Sequence, residues 1–132
     1  MKQQLKIAVC IKQVPDTNQI KWTQNNTIDR TNMDSIINLC DEYALEMAFN
    51  IKEAYKDKQT QISVFSMGPY KACEILKYAL ALGCDNAYLI TDKVFLGSDS
   101  YITSKILAQA IKYVFQDEFD LVICGQFASD GD

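Results

Sequence analysis

Histidine is absent from this sequence. Its absence excludes the catalytic triads that depend on histidine and removes the commonest general base of enzymes. The five cysteines are widely spaced and form no Cys-x-x-Cys pair; they are Cys10, Cys40, Cys73, Cys84 and Cys124. This spacing, without histidine, disfavours a metal site and thioredoxin-like chemistry, so we predict reduced thiols in a cytoplasmic protein.

The sequence also lacks a basic cluster and a long apolar run. Its formal net charge is −4, which disfavours binding to nucleic acid or to an anionic membrane surface. No apolar stretch approaches the about 20 residues that cross a bilayer, and the first four residues have no signal-peptide character. We therefore predict a cytoplasmic protein that binds neither nucleic acid nor membranes.

The most informative stretch that is present covers residues 5–16, LKIAVCIKQVPD. Its middle is apolar on both faces, which is typical of a central strand in a parallel sheet covered by helices. We expect a strand over residues 5–12, with residues 10–13 at the lip of a site, because open α/β sheets bind ligands beyond the carboxyl ends of their strands. Pro15 is expected to stop further strand pairing.

The next segment is expected to contain a turn and then a helix. Asn25-Asn26 tolerates positive φ, so an exposed hairpin over residues 19–30 is predicted to turn there. Asn38 is a suitable N-cap for a helix running to about residue 56, and the acids that follow suit the positive end of its dipole. Apolar residues recur at helical spacing and predict the buried face: Cys40, Tyr43, Ala44, Met47, Ala48 and Ile51.

Strands and helices alternate along the rest of the chain. Buried strands are predicted over residues 61–67, 86–91 and 120–125, with helices starting after Gly68-Pro69 and at the cap Gly97-Ser98-Asp99. Short connections of this kind predict an α/β fold, a doubly wound parallel sheet with strand order 3-2-1-4. The Gly68-Pro69 turn could present N–H groups to an anion or be a plain tight turn.

We interpret residues 1–132 as one nucleotide-binding-type α/β domain that is incomplete. A loop follows the last predicted strand, and no further helix covers that strand. The chain is therefore expected to be the N-terminal part of a larger subunit. Because Leu121, Val122 and Ile123 would lack part of their cover, a homodimer of this fragment is also expected.

Five segments, taken in order, resemble the β subunit of electron transfer flavoprotein. They are KIAVCIKQVPDT from residue 6, NLCDEYALEMAFNIKE from 38, SMGPYKACEILKYALALGCDNA from 66, GSDSYITSKILAQAIK from 97 and DLVICGQFASDGD from 120. They extend through nearly all of this chain, but they correspond to only about the first half of a family chain. Gly97-Ser98-Asp99 together with Asp130-Gly131-Asp132 is most similar to the branch from anaerobic bacteria, which includes electron-bifurcating members. The resemblance implies a Rossmann-like fold of the adenine nucleotide alpha hydrolase-like kind.

The resemblance implies an electron carrier that acts with an α subunit and receives electrons from flavin dehydrogenases through that complex. The β subunit of the family binds AMP as a structural nucleotide, or FAD, and the resemblance brings no catalytic residue and no metal. The alternative is an adenine-nucleotide-binding or assembly domain without redox chemistry. An ATP pyrophosphatase or a flavodoxin is disfavoured, because no glycine-rich phosphate loop follows the first strand.

The resemblance also places the family's nucleotide contacts on this sequence. They fall at three strand ends and at the start of the first helix: Cys10, Asn38, Leu39, Cys40, Asp41, Met67, Gly125, Gln126, Phe127, Ala128, Ser129, Asp130, Gly131 and Asp132. This chain has Leu39 where the family has proline, Gln126 where it has a basic residue, and Phe127 where it has glutamine. The loss of a positive charge beside a phosphate predicts weak or absent nucleotide binding by this chain.

Overall fold

The structure, a computed structural model, describes residues 3–16, 24–26 and 34–131. A four-stranded, all-parallel sheet contains β1 (Gln4–Cys10), β4 (Gln59–Met67), β5 (Asn86–Ile90) and β6 (Leu121–Cys124), in the spatial order β5-β4-β1-β6. Three helices pack against it, α1 (Leu39–Ala54), α2 (Cys73–Leu82) and α3 (Ser100–Phe115). The predicted α/β class with a parallel sheet is confirmed.

Strand β1 is interior and is buried on both of its faces. Ile7 and Val9 point into the larger core cluster, which includes Leu45 of α1 and Leu76 of α2. Ala8 belongs to a second cluster on the opposite face, with Phe65, Ile111 and Phe115. Because apolar side chains are needed on both faces, the sequence of β1 is continuously apolar and does not alternate.

A small pair of antiparallel strands lies beside this sheet. It includes Pro15, so the expectation that Pro15 stops further strand pairing was wrong. Residues Gln13–Pro15 form β2 and Ser35–Ile37 form β3, with Pro15 opposite Ser35. Pro15 is tolerated because it ends a short strand, where one missing N–H interrupts no ladder. The next backbone N–H, of Asp16, donates to the Asp34 carbonyl at 2.8 Å.

Part of the predicted hairpin falls on residues that the structure describes. Gln24, Asn25 and Asn26 form a turn, and Asn26 has a φ of 58°, which is the left-handed conformation that asparagine tolerates. Residues 19–23 and 27–30 of the hairpin lie outside the described residues. The described residues of this segment therefore agree with the predicted turn at Asn25-Asn26.

The positions of the helices agree well with the prediction, but the residues that α1 buries differ in part from those predicted. Gly83 ends α2 with a φ of 121°, and the Asp99 side chain caps α3 by accepting from the Ile102 N–H at 2.8 Å, as expected. On α1, however, Tyr43 and Met47 are 63% and 53% exposed. The buried side chains of α1 are Asp41, Ala44, Leu45 and Ala48.

Strand β6 is the most exposed strand of the sheet. Leu121 and Val122 are 40% and 44% exposed, so the prediction of a buried fourth strand was wrong. Among the described residues β6 pairs with β1 alone, which makes it an edge strand.

None of the helices in the described part of the chain has the length and apolar character needed to cross a membrane.

Candidate functional site

The carboxyl ends of β1, β4 and β6 border an open cavity of about 490 Å³, which residues at the starts of α1 and α3 also line. This volume lies in the range of small-molecule sites. Of the predicted contacts, the structure brings eight to the cavity: Cys10, Asn38, Asp41, Met67, Gly125, Gln126, Phe127 and Ala128. Parallel strands end at a common edge, which is why distant parts of the sequence meet here.

Other predicted contacts do not line the cavity. They are Leu39, which is 59% exposed, Cys40, and Ser129, Asp130 and Gly131 of the loop after β6. Asp132 lies outside the described residues.

Several lining residues were not predicted. They come from α3 with the residues just before it, and from the end of β6: Ser98, Asp99, Ser100, Thr103, Ser104, Leu107 and Cys124. Ile11 and Lys12 also line the cavity, and they belong to the stretch of residues 10–13 that was predicted to form the lip of a site. The sequence signal for α3 is the Gly97-Ser98-Asp99 segment, which predicts a helix cap and is similar to the branch from anaerobic bacteria, but it was not predicted to line a site.

Asp41 connects the segments that form the rim of the cavity. Its carboxylate accepts from the Lys12 backbone N–H at 2.7 Å, and it is also hydrogen-bonded by the Gly125 N–H and by the Asn38 side chain. The residue is 6% exposed. One buried carboxylate therefore joins the end of β1, the start of α1 and the loop after β6.

Burial raises the pKa of the Asp41 carboxyl group above its usual value. The hydrogen bonds from Lys12, Asn38 and Gly125 and the charge of Lys12 act in the opposite direction, because they favour the carboxylate, but burial prevails. This is the expected behaviour of a carboxyl group held inside a protein, because desolvation disfavours its charged form. Asp41 therefore contributes most to stability when it is protonated.

We expect Asp41→Asn to change how stability depends on pH. The folded pKa of Asp41 lies above the unfolded one, so the folded state binds more protons, and its contribution to stability is lost as the pH rises from about 4 through the folded pKa. Asparagine cannot titrate. The free energy of unfolding of the wild type minus that of the variant, from urea titrations between pH 3 and 7, should decrease as pH rises. A constant difference would contradict the assignment.

Asn38 fixes the loop after β6 and does not cap α1 with its side chain. Asn38 occupies the N-cap position without a side-chain capping bond, contrary to our prediction. Its Nδ2 group donates to the Phe127 carbonyl at 2.7 Å, and its Oδ1 atom accepts from the Ser129 N–H at 3.1 Å. With 2% exposure, this amide links the loop directly to the start of α1.

Lys12 provides a second link across the cavity rim. Its Nζ atom lies 2.7 Å from Asp130 Oδ1, and its backbone carbonyl accepts from the Asn38 N–H at 2.8 Å. The lysine is the cation in the cavity lining, where it accompanies the carboxylates of Asp41 and Asp99. The lining charges therefore sum to a net negative value.

Cys10 and Cys124 are directly opposite one another across β1 and β6. Their thiols are hydrogen-bonded to each other, which lowers the pKa of Cys124 to about 7 and, together with burial, raises the pKa of Cys10. The charge of Asp41 disfavours the thiolate at both positions. Cys124 is therefore the thiol of the pair that ionises more easily.

The lining suits the nucleoside part of a nucleotide better than its phosphate. The size of the cavity and its mixture of apolar side chains with the hydroxyls of Ser100 and Thr103 fit a base and a sugar. A phosphate needs cations or unpaired N–H groups, and Lys12 is already bonded to Asp130. The residues described thus fit the group that the family implies only in part.

The Gly68-Pro69 turn contributes little to anion binding. The Gly68 N–H donates to the Ile90 carbonyl at 3.1 Å, and the Ala72 N–H donates to the Pro69 carbonyl at 2.9 Å. The first of these N–H groups is therefore occupied by the end of β5 and the second by the turn itself. Of the two interpretations left open by the sequence, the geometry favours the plain tight turn.

The fold and the site together define an α/β protein with a nucleoside-sized cavity at the carboxyl edge of its parallel sheet. Comparison with known families gives a match to the Electron transfer flavoprotein domain over residues 25–132. Because this match covers well over half of the chain, the chain belongs to the electron transfer flavoprotein family. The resemblance seen in the sequence is confirmed.

The named relatives include β subunits of electron transfer flavoprotein. The chain is 43% identical to the electron transfer flavoprotein subunit beta of Megasphaera elsdenii, over 97% of this chain and 48% of the relative. It is 44% identical to the caffeyl-CoA reductase–Etf complex subunit CarD of Acetobacterium woodii, over 97% and 48%. It is 42% identical to protein FixA of Sinorhizobium fredii, over 96% and 44%. The chain thus spans about half the length of the relatives it matches.

Proposed function

We propose that this chain acts as part of an electron transfer flavoprotein β subunit and that its cavity is the family's nucleotide site, for AMP or FAD. The observation that supports this most strongly is spatial. Eight residues that the resemblance marks as nucleotide contacts, separated by more than a hundred positions in sequence, line a single cavity between three strand ends.

The finer fold assignment belongs to the same proposal. The order β5-β4-β1-β6 supports a Rossmann-like sheet of the adenine nucleotide alpha hydrolase-like kind. The cavity lies beyond the carboxyl end of β1, between the loops that follow β4 and β6, which is where an open α/β sheet binds its ligand.

We further propose that the chain works with an α subunit and, through that complex, with flavin dehydrogenases. Two relatives are named as subunits of larger systems, a caffeyl-CoA reductase–Etf complex and an acryloyl-CoA reductase electron transfer subunit. The exposed side chains of Leu121 and Val122 on the edge strand β6 provide apolar surface for such a partner or, in its absence, for a second copy of the chain.

Calorimetric titration of the 132-residue chain with adenosine, AMP, ADP and FAD tests the nucleotide site. We expect no Kd tighter than about 10 µM, or roughly −7 kcal/mol, and AMP should bind no better than adenosine because the lining offers little to a phosphate. Gln126→Arg adds the missing cation and should tighten AMP binding but leave adenosine unchanged. Gln126→Leu is the matched control and should change the Kd of neither AMP nor adenosine.

The outcomes of this titration separate the candidate functions. Stoichiometric flavin that survives purification, seen by its visible absorbance, would contradict the expectation of weak binding and favour an electron-carrying role for this chain alone. Colourless AMP bound with high affinity would also contradict the expectation of weak binding, but it would support the cavity as the family's nucleotide site. Absence of any adenosine or AMP binding, even in Gln126→Arg, would overturn the assignment of the cavity.

A further inference from the structure

Cys10 and Cys124 form a thiol pair whose backbone positions are those of a possible disulfide. Each is the last residue of its strand, and the two are partners in the parallel ladder between β1 and β6. Neighbouring strands lie about 4.8 Å apart, within the range of about 4.4–6.8 Å between Cα atoms that a disulfide requires. Paired residues of a ladder also project to the same face, and the two thiols are hydrogen-bonded to each other.

The side chains of this pair meet in an apolar groove between β6 and α3. The groove has a volume of about 210 Å³ and includes Leu107, Ile111 and Lys112 of α3 together with both cysteines. Cys124 is exposed and Cys10 is half-buried. A small oxidised molecule can therefore reach Cys124 first, and Cys10 stands behind it.

Their environment divides the two thiols into an attacking and a resolving group. The hydrogen bond from Cys10 favours the thiolate of Cys124, whose pKa is lowered to about 7, whereas burial and the Asp41 charge act against ionisation. The same bond keeps Cys10 protonated. Thiolates are the nucleophiles of disulfide exchange, and those with a pKa near ambient pH attack best.

The remaining cysteines provide an internal comparison. Cys40 lies in α1, Cys73 begins α2 and Cys84 is buried ahead of β5. Burial and the neighbouring Asp85 charge raise the pKa of Cys84 to about 11. A buried thiol of that kind is inert towards oxidants and alkylating agents.

We propose that Cys10 and Cys124 form a redox-active dithiol that low-molecular-weight disulfides convert reversibly to a cross-strand disulfide. The Cys124 thiolate attacks one sulfur of the small disulfide, forming a mixed disulfide and releasing the first small thiolate. Cys10 then loses its proton and attacks the Cys124 sulfur, which forms the Cys10–Cys124 bond and releases the second small thiolate. The dithiol is oxidised by two electrons, and the small disulfide is reduced to two thiols.

Peptide mapping after exposure to oxidised glutathione tests the proposal on the 132-residue chain. Trypsin cleaves after Lys6, Lys12 and Lys112, so residues 7–12 and 113–132 are released with one cysteine each. We expect these two peptides to be joined in a non-reducing digest and separated by dithiothreitol. In the untreated chain at pH 7, iodoacetamide should alkylate Cys124 about tenfold or more faster than Cys84.

Variants identify the order of the two steps. Cys10→Ser should stop the reaction at one glutathione adduct on the peptide of residues 113–132, whereas Cys124→Ser should prevent both the adduct and the link. Cys84→Ser is the matched control and should link normally. The proposal is overturned if treated wild type lacks the link, or if another pair of cysteines joins in preference.

A measurement on the reduced wild type avoids dependence on folded variants. Phenylarsine oxide condenses with two adjacent thiols and releases one water molecule. The chain should take up one arsenical, and that adduct should protect Cys10 and Cys124 together from later alkylation. Independent alkylation of the two residues in its presence would show that the sulfur atoms do not face each other and would overturn the proposal.

Discussion

Gly125→Ala is expected to lower the free energy of unfolding by about 3 kcal/mol, the upper part of the usual range for overpacking. A Cβ atom on Gly125 would lie 2.9 Å from the Cys40 carbonyl carbon and 3.0 Å from the Asp41 nitrogen, and closer still to the Asp41 carboxylate. Two of these obstacles are backbone atoms of α1, which cannot rotate away. The loop after β6 must therefore separate from α1.

Gly68→Ala is the matched control for this variant. Its Cβ atom would meet only the Ala72 side chain, at 3.4 Å, and Gly68 has no positive φ. We expect a change within about 1 kcal/mol, because alanine also restricts the unfolded chain. Urea unfolding followed by circular dichroism compares the two. Equal stability of the two variants would mean that Gly125 does not approach α1 as closely as described.

The architecture was largely predictable from the sequence because it depends on local patterns. The continuous apolar run around Ile7 and Val9 indicated a strand buried on two faces, and it is the interior strand β1. Gly83 and Asp99 marked helix ends through conformation and capping, which are properties of a few adjacent residues. The antiparallel pair of β2 and β3 was missed, since its pairing joins segments about twenty positions apart.

The polar contacts of the site were not predictable in the same way. Asn38 is of a residue type that commonly caps helices, and the sequence predicts that local role for it. Its amide is instead hydrogen-bonded to a loop about ninety residues later in the chain. Asp41 similarly suits the start of a helix, but the structure buries it against the ends of β1 and β6. A local rule cannot show that a distant backbone group competes for the same side chain. The resemblance to a family identified these positions, and the geometry explains their roles.

Asn38→Asp is expected to lower the free energy of unfolding by about 3 kcal/mol at pH 7, as uncompensated buried charges do. The amide donates to the Phe127 carbonyl and bonds the Asp41 carboxylate. A carboxylate at position 38 has no N–H, so it would face both acceptors with a negative charge. Bonding to the Ser129 N–H would survive but would not compensate for two repulsive contacts.

The pH dependence distinguishes this electrostatic cause from simple loss of a side chain. The new carboxyl group would have a raised folded pKa, because of burial and the Asp41 charge, and its folded form would therefore bind more protons. Lowering the pH from 7 to 4 should restore part of the lost stability. Asn38→Ser also loses the loop contacts but adds no charge, and its hydroxyl can cap α1, so its cost should stay near 1 kcal/mol at both pH values. Equal, pH-independent losses in the two variants would refute the arrangement of Asn38, Asp41 and Phe127.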